Sequence, residues 1–533
     1  MKKKMAVVVA AALVSTTLLA ACSNNGNEKN SLPNSETSSN EQTTNTSTEP
    51  STKASQEPLD LSIFYFDGSG VVKMDSPVLT KAAELTNISL NNVAPAGGEE
   101  KQAYNLMLAS GSLPDLISYY ISDLNSIGSE DALAPLNEYI DKFAPNFKKF
   151  LEENEDVRKA ITAADGNIYT IPSVADGTAS TGWFIRQDWL DKLNLQSPTT
   201  VDQYYEVLKA FRDQDPNGNG KKDEVPYMQR DNVVGAYSLL PLWDAYHSFY
   251  IKENKIVFGP YEDQFEIGIS NIAKWYAEGL IDKEIYTRAK ARETLLGNNT
   301  AGSTHDWFAS TSNFNNSLKD QVPGLNLIPF APPASSSGKV FEVGKRAKLT
   351  GFGWGISANS KHIEEAVKYF DFWWTEEGRR MFNFGIEDQS YKLVDGKPIF
   401  TEEVLSQPAV NGYLVEAYGA QLTKIGAWQD FSYEEQWTNE IALKGIKLYQ
   451  DNNLISSDYT LPPLSFTQEE QERITDLKGQ IDTYFAEKAQ KWVMGGEEVA
   501  SNFAAYKDEL KKLGVDEYIQ IYNDAYTRYL NMK

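Results

Sequence analysis

The sequence predicts an α/β protein of two lobes with a helix-rich C-terminal region, and three observations carry that prediction. Short apolar runs alternate with amphipathic helical stretches from residue 59 onward, glycine-rich passages interrupt the chain at three separated places, and beyond residue 361 the periodicity is mostly helical. At 533 residues, with 41% hydrophobic and 23% charged side chains, the chain has material for more than one core.

The run LDLSIFYF over 59–66 reads as a buried strand, 76–85 as a helix, and 88–93 as a second strand with alternating apolar positions. A third cycle follows. Residues 98–110 are helical, with Tyr104, Met107 and Leu108 on one stripe, and the turn Gly111-Ser112-Leu113-Pro114 leads into a short strand over 115–119. Strands separated by helices of this length form right-handed crossover units, so each lobe is expected to hold a mostly parallel sheet flanked by helices. The small-residue passages ADGTASTG (175–182), LGNNTAGST (296–304) and LTGFGWG (349–355) read as crossings between lobes. They assign residues 58–175 and 304–350 to an N-terminal lobe and residues 176–303 and 351–533 to a C-terminal lobe.

Residues 1–21 join Lys2, Lys3 and Lys4 to an apolar run that ends in small residues before Cys22, the pattern of a secretory leader and too short for a spanning helix. Leu19-Ala20-Ala21-Cys22 resembles a bacterial lipobox, which implies cleavage before Cys22 and lipid attachment to it. Cys22 is the sole cysteine, so the exported chain has no disulfide. Residues 22–57 are almost all polar and read as a flexible tether, because they bury too little surface to offset their ordering entropy. Lipid, tether and globule in that order predict a protein held at the outer face of the cytoplasmic membrane. The formal net charge of −24 argues against nucleic acid or anionic lipid as a ligand.

Residues 213–224, DQDPNGNGKKDE, place oxygen ligands and glycines at the spacing of a calcium loop, in which alternate groups turn inward and a final glutamate closes the shell. Two registers fit. One starts at Asp213 and continues through Asp215, Asn217 and Glu224 with Gly218 at the bend. The other uses Asp215, Asn217, Asn219, the carbonyl of Lys221, Asp223 and Glu224, with Gly220 at the bend. Carboxylates crowded around a tight turn repel one another, and a divalent cation removes that cost. Val225-Pro226-Tyr227 stops a helix from following, so the site reads as a solitary structural one.

The segments GSLPDL (111–116), WFIRQDWLDKL (183–193), DPNGNGKKDEVP (215–226), NFGIE (383–387) with VDGKP (394–398), and LGVDEYIQIY (513–522) together resemble the family 1 extracellular solute-binding lipoproteins of bacilli and their relatives. The resemblance covers nearly everything after the tether. It implies a two-lobed type II periplasmic-binding-protein-like fold that delivers a sugar or oligosaccharide to the permease of an ABC transporter. It also implies the second calcium register, with Asp215, Asn217, Asn219, Lys221, Asp223 and Glu224 as ligands. The stretch 383–391 departs from relatives that carry a glycine after the glutamate.

Ligands of doubly wound sheets sit outside the carboxyl ends of the strands. Those ends carry Asp67, Tyr119 and Tyr120, with Trp183 and Arg186 beyond the first crossing. A sugar offers flat C–H patches and a rim of hydroxyls, which call for aromatic faces and planar polar groups. Trp243, Trp307, Trp354 and Trp428 stand near glycine or polar turns and join the candidate contacts, whereas Trp189, Trp275, Trp373 and Trp374 stand at helical spacing and read as core. Closure about a hinge would complete the contacts from both lobes. The rival class is a secreted glycoside hydrolase, which needs two carboxylates with separated pKa values. No acid sits in a recognisable catalytic context, and His247, His305 and His362 form no zinc spacing or triad. The expectation is therefore a monomeric, non-enzymatic carbohydrate receptor with one structural calcium ion.

Overall fold

The computed structural model describes residues 58–532 except 69, 231–235 and 423–425; the expected leader, Cys22 and the tether lie outside the described residues. The described strands are β1 (Leu59–Phe64), β2 (Ile88–Asn92), β3 (Leu116–Tyr120), β4 (Thr170–Ala175), β5 (Thr181–Arg186), β6 (Val225–Met228), β7 (Phe249–Lys252), β8 (Lys255–Phe258), β9 (Ala301–Trp307), β10 (Leu327–Phe330), β11 (Leu349–Ile356), β12 (Tyr391–Val394), β13 (Lys397–Phe400) and β14 (Trp428–Gln429). A six-stranded sheet has the order β14-β4-β11-β3-β1-β2 and a four-stranded sheet the order β10-β5-β9-β6, with hairpins β7–β8 and β12–β13 beside them.

Each sheet anchors its own core. Apolar side chains of 61–174 and 349–433 pack around the first sheet, and those of 179–330 and 442–521 around the second. This corrects the lobe assignment: β9 and β10 belong to the second sheet, and the chain from β11 through Trp437 belongs to the first lobe. The crossings are residues 176–180, 331–348 and 438–439. The passages 296–304 and 349–355 contain strands instead, and Gly302, Gly353 and Gly355 in them are packing devices. A Cβ on Gly302 would stand 2.5 Å from the ring of Phe211, and one on Gly355 would stand 2.6 Å from Leu133. Small residues let a layer come this close.

Each sheet is mostly parallel, with one strand that runs against the rest: β11 in the first and β5 in the second. β1 pairs in parallel with β2 and β3, but β11 runs antiparallel to both β3 and β4, and β5 runs antiparallel to β9 and β10. A strand that arrives from the other lobe starts at the edge where local strands end, so it must run the opposite way. The first two crossings travel together as an antiparallel ribbon, with Arg346 N donating to Thr178 O at 2.9 Å and Ala175 N to Lys348 O at 2.8 Å.

The helices Ile363–Phe372 and Glu376–Phe384 cover the first sheet, whereas Glu440–Asp451, Gln468–Val493, Val499–Lys512 and Val515–Asn531 build the second lobe. The longest of them begins with a capping box, Thr467 and Glu470 exchanging bonds with each other's backbone.

Gly302→Val tests the placement of β9. Overpacking against Phe211 should cost about 1–3 kcal/mol, read as a lowered melting temperature. A neutral effect would mean that residue 302 lies in an open crossing.

Candidate functional site

Strand direction brings the ends of β1, β3, β4 and β14 to one edge of the first sheet, and the ends of β6, β9 and β10 to one edge of the second. β4 and β5 are joined by only five residues, 176–180, so these two edges face each other across the hinge ribbon. The cleft between them is the candidate site.

On the second lobe a pocket of about 220 Å³ is lined by Gln229, Arg230, His247, His305, Asp306 and Trp307, among others. Asp306 is 4% exposed and accepts from Arg230 Nε at 2.8 Å, Arg292 Nη1 at 3.0 Å and the backbone N–H of Trp307 at 2.7 Å. This network fixes the turn at the end of β9 and leaves Trp307 54% exposed. Burial pushes His247 down to about 4, so that side chain is neutral at neutral pH. On the first lobe a pocket of about 310 Å³ is lined by Tyr65, Phe66, Asp67, Glu100, Asn411 and Gln421, among others. Beside it Tyr120, 42% exposed, packs on Phe352 with ring centroids 4.4 Å apart. Both faces thus pair an aromatic surface with planar polar groups.

Behind the second pocket lies Glu342, a residue of the second crossing that is 1% exposed. Its carboxylate contacts His305 Nε2 at 2.9 and 3.0 Å, and it accepts from Thr181 Oγ1 at 3.1 Å and Gly344 N at 2.7 Å. Burial works against a charge on His305, but the Glu342 carboxylate and its hydrogen bond outweigh it, so the imidazole titrates above its ordinary value.

Away from the cleft, the helix Val201–Asp213, capped by Thr200, runs into the 213–224 loop. Arg212 Nε and Nη2 each donate to Asp213 at 2.7 Å, which engages Asp213 outside the loop. Asp215 accepts from the N–H groups of Asn219 and Gly220 at 3.0 Å, and Asp223 accepts from the amides of Asn217 and Asn219. Glu224 is 9% exposed, and neither of its buried oxygens accepts a well-formed hydrogen bond. Burial raises its pKa, and Asp223 and Asp215 add to that, which outweighs the opposing effect of the nearby backbone N–H groups of Glu224 and Asp223. The loop's four carboxylates outnumber its two lysines, Lys221 and Lys222, and although Lys192 Nζ donates to the Pro216 carbonyl at 2.8 Å, no cation meets Glu224; the loop's oxygens fit a divalent cation. Among the described residues no three His, Cys, Asp or Glu side chains form a preformed metal cluster, so amide and carbonyl oxygens must complete such a shell.

A profile of the bacterial extracellular solute-binding protein family matches residues 73–380. The chain belongs to that family. This solute-binding protein is 26% identical over 458 residues to the fructooligosaccharide ABC transporter substrate-binding protein FusA of Streptococcus pneumoniae serotype 4, covering 80% of this chain and 82% of the relative. It is 23% identical over 454 residues to the polygalacturonan/rhamnogalacturonan-binding protein YtcQ of Bacillus subtilis, covering 83% and 86%. Among solved structures, the alginate-binding protein AlgQ2 without calcium ion superposes with a TM-score of 0.75 at 39% identity, covering 89% of this chain and 99% of that one. The two-lobed fold is thus that of its relatives. Among the described residues no helix is long and apolar enough to cross a membrane.

Of the sequence-selected contacts of this solute-binding protein, Asp67, Tyr120 and Trp307 stand at the facing edges. Tyr119 lies one position behind, stacked on Tyr104 at 3.7 Å. Trp183, Arg186, Trp243 and Trp354 are interior. Trp183 packs on His305, Trp243 on Trp275, and Trp354 on Tyr65. Arg186 is bound to Asp188 and Asn299, and its guanidinium lies over Trp189. None of these four presents a face to solvent. Trp428 lies on the flank of the first lobe, outside both cleft pockets. Arg230, His305, Asp306, Asn411 and Gln421 were not singled out from sequence. The signal for Arg230 was present, since it follows the carboxyl end of β6, but Pro226 masks β6 as a strand.

The His305–Glu342 pair makes stability depend on pH. A raised His pKa contributes stability that is full below the unfolded value of about 6.5 and is lost as pH rises through the folded value. The melting temperature of the wild-type protein should therefore exceed that of His305→Asn most at pH 5.5–6.5, and the gap should narrow as pH rises. A gap that widens with pH would mean that the buried pair is not held by the imidazolium.

Proposed function

We propose that this protein captures an oligosaccharide between its two lobes, outside the cell, and delivers it to the membrane permease of an ABC transporter. Cys22 is its lipid anchor, and a structural calcium ion occupies the 213–224 loop. The observation that carries the sugar reading is Trp307. A large indole more than half exposed is held by the Asp306 network at the cleft edge, opposite Asp67 and the Tyr120–Phe352 pair. Indole faces suit the C–H patches of a sugar, and the flanking carboxylates and amides suit its hydroxyls. The relatives named for fructooligosaccharide, polygalacturonan and alginate support the substrate class. No acid of the sequence sits in a recognisable catalytic context and the relatives are named as binding proteins, so capture without turnover is the reading adopted.

Titration calorimetry against fructooligosaccharides, oligogalacturonides and alginate oligosaccharides tests it. At least one should bind with a rise in melting temperature, and Trp307→Ala should weaken it by about 2 kcal/mol, some thirtyfold. Release of shortened product during incubation would overturn the receptor reading in favour of hydrolysis.

The calcium assignment follows the second register, because Asp213 is engaged by Arg212 whereas Glu224 is buried and accepts no well-formed hydrogen bond. Asp215, Asn217, Asn219, the carbonyl of Lys221, Asp223 and Glu224 would hold the ion, whose charge offsets the carboxylate repulsion. Saturation at about 100 times Kd adds about 2.7 kcal/mol to stability. A chelator should therefore lower the melting temperature of the wild type and of Asp213→Ala, and leave Asp215→Ala/Glu224→Ala unchanged. A wild-type protein indifferent to chelator would reduce the loop to a turn.

A further inference from the structure

Away from the cleft and the three crossings, the two lobes also touch through the segment LPPLSF (461–466) and the C-terminal helix Val515–Asn531 of the second lobe. Leu461, Leu464 and Phe466 pack on the second core, and Pro462 and Pro463 stiffen the segment between them. From this segment Ser465, 9% exposed, donates through Oγ to the carbonyl of Thr162 in the first lobe at 2.6 Å. Arg528 of the C-terminal helix fixes the donor. Its Nη2 donates to the Ser465 carbonyl at 3.0 Å, and its guanidinium clamps the Glu470 carboxylate, with Nη1 at 2.8 Å from one oxygen.

A cavity of about 300 Å³ lies at this contact, with Thr162, Ala163 and Gly166 on one side and Thr527, Arg528 and Asn531 on the other. Burial raises the pKa of Tyr529, and Asp156 and Glu155 of the first lobe stand close enough to add to that. Thr162 bridges to Ile168 just before β4, so it lies beyond the starting end of that strand, whereas the ribbon 176–180 and the cleft edge lie at the carboxyl end. The six residues of β4 separate the two by about 20 Å. Each cleft pocket is lined by its own lobe or the crossings alone, so the cleft stands open. Closing it is a rotation about an axis that crosses the strand ends at the ribbon, and a turn of about 15° moves a point about 20 Å from such an axis by about 5 Å. A hydrogen bond of 2.6 Å does not survive that displacement.

We propose that the Ser465–Thr162 contact is a strap that holds the unliganded protein open and must break before the lobes close on a ligand. The strap rests on the closure reading of the proposed function and goes beyond it, because it places a determinant of affinity in residues far from the cleft. A ligand that needs the closed form has its apparent affinity reduced by the small fraction of chains that are closed, so a contact confined to the open form lowers affinity. Arg528 is the positioning residue of the strap.

Titration calorimetry of the full chain with fructooligosaccharides, oligogalacturonides and alginate oligosaccharides tests it. Ser465→Ala should bind the sugar that wild type binds about fivefold more tightly, the loss of one hydrogen bond from the open form. Damage to the fold would weaken binding, so the direction of the change tells the two apart. The converse variant joins Thr162→Cys to Ser465→Cys in a Cys22→Ser chain, which leaves the engineered pair as its only thiols. Once its disulfide has formed, this variant should bind about tenfold more weakly than its reduced form and keep the radius of gyration of the unliganded protein. A Ser465→Ala variant that binds no tighter, or a disulfide that leaves affinity unchanged, would overturn the strap and leave the cleft reading intact. Wild-type binding with no fall in radius of gyration would overturn closure, and no binding of any of the three sugars would overturn the cleft reading; the strap falls with either.

Discussion

The buried carboxylate of Glu342 is the contact on which the rest of the arrangement depends. It belongs to the crossing 331–348 yet is bound to the second lobe through His305 on β9 and Thr181 at the start of β5, and it also accepts from the N–H of Gly344 in its own crossing. A carboxylate taken out of water is stable only if paired and hydrogen-bonded, and here three partners from three segments of chain supply that. The second crossing is thereby fastened to one lobe, and Ser180 Oγ, which donates to Gly344 O at 3.3 Å, ties the first crossing to it. The backbone freedom needed for a hinge is left to the short stretches on the first-lobe side, around 176–180 and 343–348, which run as a paired ribbon.

The same contact connects hinge and site. His305 precedes Asp306 and Trp307, whose positions are set by Arg230 and Arg292. A change in how the crossing sits on the second lobe must pass through the imidazole into the turn that presents Trp307. The 213–224 loop lies elsewhere. It joins the helix Val201–Asp213 to β6, whose end carries Gln229 and Arg230, so a cation there would stiffen the base of one cleft wall without touching a ligand.

Much of this order was legible in the sequence. The strand and helix cycles over 59–120 fall where periodicity places them, as do the C-terminal helices, because long periodic segments bury one face whatever their tertiary context. The glycine-rich passages misled for a physical reason. Gly182, Gly302, Gly353 and Gly355 are small because aromatic rings, Leu133 or a neighbouring strand press against them, not because the chain is free there. The tryptophans beside those glycines were consequently core residues, Trp183 and Trp354 among them. Pro226 hid β6, since proline is tolerated on an edge strand and β6 is the edge of its sheet. Glu342 carries no local signal, because its partners are set by how the lobes fold. The choice between calcium registers turned on Arg212, whose side chain decides where Asp213 points.

The central claim is that sugar draws two edges together about an anchored hinge. Small-angle X-ray scattering of the protein with and without a saturating oligosaccharide, chosen from those that bind, measures it directly. The account predicts a smaller radius of gyration in the bound state. Stoichiometric binding with an unchanged radius of gyration would contradict it.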